Sequence, residues 1–202
     1  VADILVRRRL PRTEREQQLL DVAEDVFIER GLRAASMQEI AVRAGVTKPI
    51  LYDHFGSKDG LAAACIRRAG VVLLGETAAA VQGARGPRET LEAGITAFFR
   101  FIERHGQVWL MLIGESSLVG AAAEEVEGIR RDQAAYVAAR IASDYPAAPR
   151  RDVEAFAEAI IGACERVALW RRGHPQVSAS DAAGTVVALL WNGLASLAAQ
   201  SG

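Results

Sequence analysis

A-S-M-Q-E-I-A-V-R-A-G-V-T-K-P-I-L-Y-D-H-F-G-S-K-D-G-L, residues Ala35 to Leu61, reads as two short helices joined by a glycine turn. Ser36 followed by Glu39 is a capping box: the serine hydroxyl can accept from the backbone N–H of Glu39, and the Glu39 carboxylate can reach back to the N–H of Ser36. A helix is expected to start there, with Ile40 and Ala41 facing inward. Gly45 sits where a left-handed residue stops that helix at little steric cost. Thr47 is placed to cap a second helix, with Pro49 in its first turn, where a missing N–H leaves no hydrogen bond unmade. The second helix is expected to end at about Phe55.

Along the second helix, Val46, Ile50 or Leu51, and Phe55 give an apolar stripe, whereas Thr47, Lys48, Tyr52 and His54 project elsewhere. Lys48 can meet a phosphate or a guanine edge. Tyr52 offers a ring to a thymine methyl and a hydroxyl to phosphate, and Pro49 a rigid apolar contact. Ser57 caps a further helix. Lys58 stands at its N-terminus, where a cation opposes the helix dipole unless an anion such as phosphate neutralises both. Two helices about a glycine turn also occur in bundles that never touch DNA, so the pattern by itself leaves both readings open.

The string T-K-P-I-L-Y-D-H-F-G-S-K-D-G-L, Thr47 to Leu61, closely resembles the recognition-helix signature of TetR-family transcriptional regulators, where a Leu-Tyr-x-His-Phe core precedes a Ser-Lys helix start. The likeness extends back through Thr13 to Gly31 and forward into a long helix after Ser57. Beyond the first third of the chain it is one of helical layout and length. Two positions depart from the family pattern: Pro49 takes a place often held by a small residue, and Gly60 interrupts what is commonly a better helix former. The resemblance implies a homodimeric, ligand-responsive regulator of transcription, most often a repressor, bound to a palindromic double-stranded operator. It makes Gln38, Thr47, Lys48, Pro49 and Tyr52 candidates for base or groove contact, and Ser36, Tyr52, His54 and Lys58 candidates for phosphate. The alternative is an architectural or adaptor protein that binds DNA without a small-molecule effector.

Composition fits an all-α chain of 202 residues: half of them are hydrophobic, alanine is abundant, and alternating polarity is scarce. A net charge of −1 argues at first against a nucleic-acid partner, but its distribution does not. Through Arg68, 12 Lys and Arg stand against 10 Asp and Glu, a net of +2 that leaves −3 for the remainder. Arg7, Arg8, Arg9, Arg12 and Arg15 face only Glu14 in the same span, a basic arm suited to phosphates or a minor groove, or else a merely solubilising tail. Cys65 and Cys164 lack metal spacing and read as small buried apolar residues of a reducing compartment. Neither a signal peptide nor a membrane span is apparent, so a cytoplasmic location is expected.

Punctuation divides the chain into an arm (1–12), a helix-turn-helix domain (13–60), a connecting helix (61–82) and an effector-binding and dimerisation domain (83–202). Thr13 and Glu16 form a second capping box, opening a first helix that runs to Gly31. Later helices are expected over residues 87–105, 107–118, 121–144, 149–172 and 180–199. Phe98, Phe99, Ile102, Trp109, Met111 and Leu112 crowd one region. They read either as core or as the wall of an effector cavity, with Glu115, Tyr136, Glu165 and Arg166 as polar participants. Ala155, Ala159 and Gly162 give one helix a narrow small-residue side, and Val187, Leu190, Trp191 and Leu194 give the last a broad apolar face. Both could pack within one subunit, but the resemblance favours a two-fold interface through the last two helices. No cofactor or metal is expected. The histidines His54, His105 and His174 are dispersed, and no phosphate loop or nucleophile elbow is present, so catalysis is not expected. Cys164 and Glu165, as successive residues on a helix, do not face one another.

Overall fold

The structure, a computed structural model, describes residues 11–114 and 120–199, the side chains of 107, 108, 110–114 and 195–199 excepted. Arg7, Arg8, Arg9, Met111, Leu112 and Glu115 therefore lie outside what is described. Among the described residues are eight helices and no strand. They are α1 (Arg12–Ala34), α2 (Met37–Arg43), α3 (Lys48–Phe55), α4 (Lys58–Val81), α5 (Pro87–Gly114), α6 (Gly120–Asp144), α7 (Arg150–Arg171) and α8 (Ala179–Ala199). The all-α expectation holds. Contacts divide the chain into two compact units whose border falls inside α4, between Cys65 and Ile66.

In the first unit, Leu19, Leu20, Ala23, Val26 and Phe27 recur at helical spacing along α1 and are buried, as are Ile40, Ala41, Leu51 and Leu61. Gly31, at φ 76° and ψ 158°, breaks α1 where the sequence places its end. The start differs. Pro11, at φ −52° and ψ 151°, turns the chain into the helix ahead of Thr13, so Thr13 falls in the first turn and the expected Thr13–Glu16 cap gives way to an end without a side-chain cap.

The second unit is a bundle in which α5 packs on α8 and α7, and α6 on α7. The expected break at His105 to Gln107 is absent: α5 is one helix of 28 residues. Phe98, Phe101, Ile102 and Trp109 keep helical spacing across Gly106 and are all buried. Burial on that scale outweighs the roughly 1 kcal/mol by which glycine disfavours a helix interior. Phe99 is fully buried beside Phe98, the rings edge to face at 5.3 Å. Charged groups tie the helices together. The Glu165 carboxylate accepts from Arg130 Nε at 3.0 Å and from Arg130 Nη2 at 2.8 Å, joining α7 to α6. Glu103 of α5 accepts from Arg171 Nη2 at 2.7 Å and from the Ala179 backbone N–H at 2.9 Å.

Candidate nucleic-acid interface

The turn between α2 and α3 is built from backbone hydrogen bonds and one residue type. Gly45 takes φ 65°, where a side chain would be strained, and the N–H of Val46 then donates to the Ala41 carbonyl at 3.0 Å. Ser36 caps α2 as expected, accepting from the Glu39 N–H at 3.1 Å. The return half of the box is replaced: the Glu39 carboxylate accepts from Arg43 at 2.7 Å and Arg30 at 3.4 Å. Arg43 also donates to Glu29 of α1 at 2.7 Å, and this hydrogen bond holds the Glu29 carboxyl below its ordinary range. One guanidinium thus clamps α2 onto α1. Thr47 occupies the cap of α3 with extended backbone but makes no side-chain cap bond, and Pro49 stands in the first turn.

Leu51 anchors α3 in the core, fully buried, with Ile50 and Phe55 half-buried. Ser36, Gln38, Thr47, Lys48, Pro49 and Tyr52 are all exposed. The ammonium of Lys48 lies over the Tyr52 ring, 5.7 Å from its centroid. Six of the eight candidate residues therefore stand on open surface of one two-helix segment. His54 differs: it is half-buried, with Nδ1 enclosed and unpartnered.

Lys58 is corrected more sharply. Its Nζ donates to the carbonyls of Leu32 at 2.8 Å, Arg33 at 3.1 Å and Ala35 at 3.0 Å, which uses all three ammonium donors. The anion that its place on α4 seemed to demand is supplied by the carbonyl end of α1. Lys58→Met is expected to destabilise the chain by about 1–2 kcal/mol in urea unfolding. It should leave the slope of log Kd against log salt for DNA as in the parent, whereas a slope smaller by ~0.9 would return Lys58 to phosphate. Ser57 caps α4 as expected, accepting from the Gly60 N–H at 2.9 Å. A β-carbon at Gly60 would stand 2.1 Å from the Phe55 carbonyl oxygen. Gly60 is thus a close-packing requirement at the α3–α4 turn rather than a weak helix former.

In the second unit, a cavity of about 90 Å³ is walled by α4, α5, α6, α7 and α8. Phe98 and Tyr136 line it, as the sequence placed them. Phe99, Ile102, Trp109 and Glu165 do not: the first three are buried elsewhere in the bundle, and Glu165 is spent on Arg130. Arg166 is exposed. The sequence missed Leu74, Thr77, Leu91 and Arg140 of the wall, which come from helices that carry no aromatic cluster at those positions. On the outer side, Ala155, Ala159 and Gly162 of α7 are exposed, and Leu190 and Trp191 of α8 are partly so. Val187 and Leu194 turn inward instead, buried at 6% and 3% exposure, and Leu194 lines the cavity. Leu189, absent from the sequence-derived face, is 71% exposed. Burial, reinforced by the Glu165 charge, pushes the Cys164 thiol up to about 12, which removes it as a nucleophile at neutral pH. Among the described residues no cluster of His, Cys, Asp and Glu could hold a metal, and no helix is long and apolar enough to cross a membrane.

Comparison with known proteins bears on this arrangement. Residues 19–65 match the description "Bacterial regulatory proteins, tetR family", and residues 87–193 match "Tetracyclin repressor-like, C-terminal domain". The HTH-type transcriptional activator FasR of Mycolicibacterium smegmatis is 45% identical over 104 residues, 52% of this chain and 48% of that protein. The HTH-type transcriptional repressor KstR2 of Rhodococcus jostii is 37% identical over 89 residues, 44% of each. The chain spans about half the length of the curated relatives it matches. The crystal structure of a TetR-like transcriptional regulator from Rhodococcus sp. RHA1 is similar over 93% of this chain and 99% of that one, with 36% identity and a TM-score of 0.73.

Proposed function

The chain belongs to the TetR family of bacterial regulatory proteins, and from that premise we propose that it is a sequence-specific DNA-binding regulator of transcription that acts as a homodimer and answers to a small molecule. The observation that carries the reading is the exposed set on α2 and α3, in which Gln38, Thr47, Lys48, Pro49 and Tyr52 stand outward while Leu51 holds the helix to its core. Amide, hydroxyl, ammonium and phenol are the groups that read base edges and hold phosphates. Each protomer lays α3 in a major groove, and two-fold symmetry makes the operator palindromic. The exposed small-residue side of α7 with Leu189 of α8 supports pairing through the last two helices. The cavity in the second unit supports an effector, which acts by binding more tightly to a dimer state whose recognition helices no longer match the operator spacing. The regulator performs no catalysis of its own.

Selection of bound sequences from random DNA by the purified protein tests this reading. The expected product is an inverted repeat, and a pool that stays random after repeated rounds would overturn it. With the selected operator, affinity should fall steeply with salt, as counterions are released from each neutralised phosphate. Lys48→Ala should weaken operator binding on the order of tenfold and relax the preference at one base position. Equal affinity of Lys48→Ala and parent for the operator would take Lys48 out of the interface.

A further inference from the structure

The cavity of the second unit is apolar along most of its wall, yet two of its polar atoms have nothing to bond. Thr77 Oγ1 on α4 and Arg140 Nε on α6 are both buried without a hydrogen-bond partner, and both residues line the cavity. A guanidinium keeps its charge at any pH the fold survives, so an enclosed N–H without an acceptor carries an uncompensated desolvation cost. Arg140 belongs to a polar line on α6 that includes Gln133 and Tyr136 at helical spacing, all lining the same cavity. Asp144 follows one turn on and also lines the cavity, without pairing with Arg140. Tyr145 beside it is kept protonated by burial and by the Asp144 charge, and adds a hydroxyl donor. Elsewhere on the wall, Leu91, Ile95, Phe98 and Leu194 offer only hydrocarbon.

We propose that the cavity binds a compact carboxylic acid, its apolar body against Leu91, Ile95, Phe98 and Leu194 and its carboxylate held by Arg140 with help from Thr77. The assignment rests on the reading of the second unit as the effector domain, and it names the class of effector. A planar guanidinium matches a carboxylate in shape and charge. Thr77 can donate to one of its oxygens. The size follows from the volume: an apolar cavity of about 150 Å³ takes a benzene ring, so at about 90 Å³ this one admits a short chain or, with a small outward movement of its wall, a single ring. An amine would look to Asp144 instead, and would leave the Arg140 Nε–H without an acceptor.

The test is calorimetric titration of the full chain with hexanoate and benzoate, against the neutral hexanamide and benzamide and the cationic hexylamine and benzylamine. At least one acid is expected to bind at least tenfold more tightly than its amide and its amine. Arg140→Met should weaken that acid roughly ten- to hundredfold, and Thr77→Val should weaken it less. The melting temperature of ligand-free Arg140→Met should equal or exceed that of the parent, because a buried N–H without an acceptor is removed; a purely structural arginine would lower it. The proposal is overturned if an amide or amine binds as tightly as the acid, if neither acid binds, or if Arg140→Met keeps the acid affinity. The same compounds are then added to the protein–operator complex in a mobility shift. An acid that binds without releasing operator leaves the site assignment standing and removes its regulatory role; release by the amine alone keeps the regulatory role and removes the acid.

Discussion

Gly60→Ala is expected to lower the stability of the chain by about 3 kcal/mol and to abolish measurable operator binding. The added methyl would sit 2.1 Å from the Phe55 carbonyl oxygen, well inside contact distance. The obstacle is backbone, so no rotamer change relieves it. Room can be made only by moving the last turn of α3 away from the first turn of α4, and that shift displaces Tyr52, whose carbonyl accepts from the Gly56 N–H at the end of α3. Gly75→Ala is the control: it lies in the same helix with open space around the new methyl, and should be neutral or gain up to about 1 kcal/mol from helix propensity. Urea midpoints for the two variants, with operator titrations on each, check the claim. Equal midpoints for Gly60→Ala and parent would show that the turn tolerates the extra carbon.

Gly162→Arg is expected to keep the proposed dimer from forming and to cost on the order of hundredfold in operator affinity, because two half-sites held in one molecule gain that much from being linked. A β-carbon at Gly162 meets nothing within 4 Å in the subunit, and its neighbours on that face, Ala155 and Ala159, are likewise exposed. The subunit fold should therefore accept the arginine, and α7 should gain slightly in helix propensity. If this small-residue face takes a second helix at close approach, it has no place for a charged side chain of that length. Sedimentation at micromolar protein reads the mass directly, and circular dichroism confirms the helix content. A variant that remains dimeric would move the interface off this side of α7.

The helix-turn-helix was legible because its signals are local: a serine three residues ahead of a glutamate, a glycine where φ must be positive, a proline in a first turn. Each depends on neighbours within one helical turn, and the structure places α2, Gly45 and α3 accordingly. Lys58 was misread for the opposite reason. Its partners are carbonyls 23 to 26 residues earlier in the chain, and nothing in the local sequence shows that a helix end arrives there. The same holds for Gly60, whose constraint comes from how a turn closes rather than from propensity. Glu165 was read as a polar participant in the cavity, but its partner Arg130 lies 35 residues away and only packing reveals the pair. Of the cavity wall, only Phe98 and Tyr136 were among the residues named from sequence: aromatic density pointed to α5, whereas the polar line on α6 is diluted among alanines and charges that look solvent-bound. On α8 a broad apolar run conflated two faces, so Val187 and Leu194 were assigned outward while Leu189 went unnoticed.

The ammonium of Lys48 resting over the Tyr52 ring bears on how fast and how cleanly the protein discriminates. A lysine in free solution surrenders about 2 kcal/mol of rotamer entropy when it is immobilised, and that loss offsets whatever it gains at a binding surface. Confined beforehand by the aromatic face, this one has less disorder left to lose. On the proposed reading the two side chains would enter a groove as a single semi-rigid probe, and a substitution at Tyr52 would loosen the lysine as well as removing the phenol.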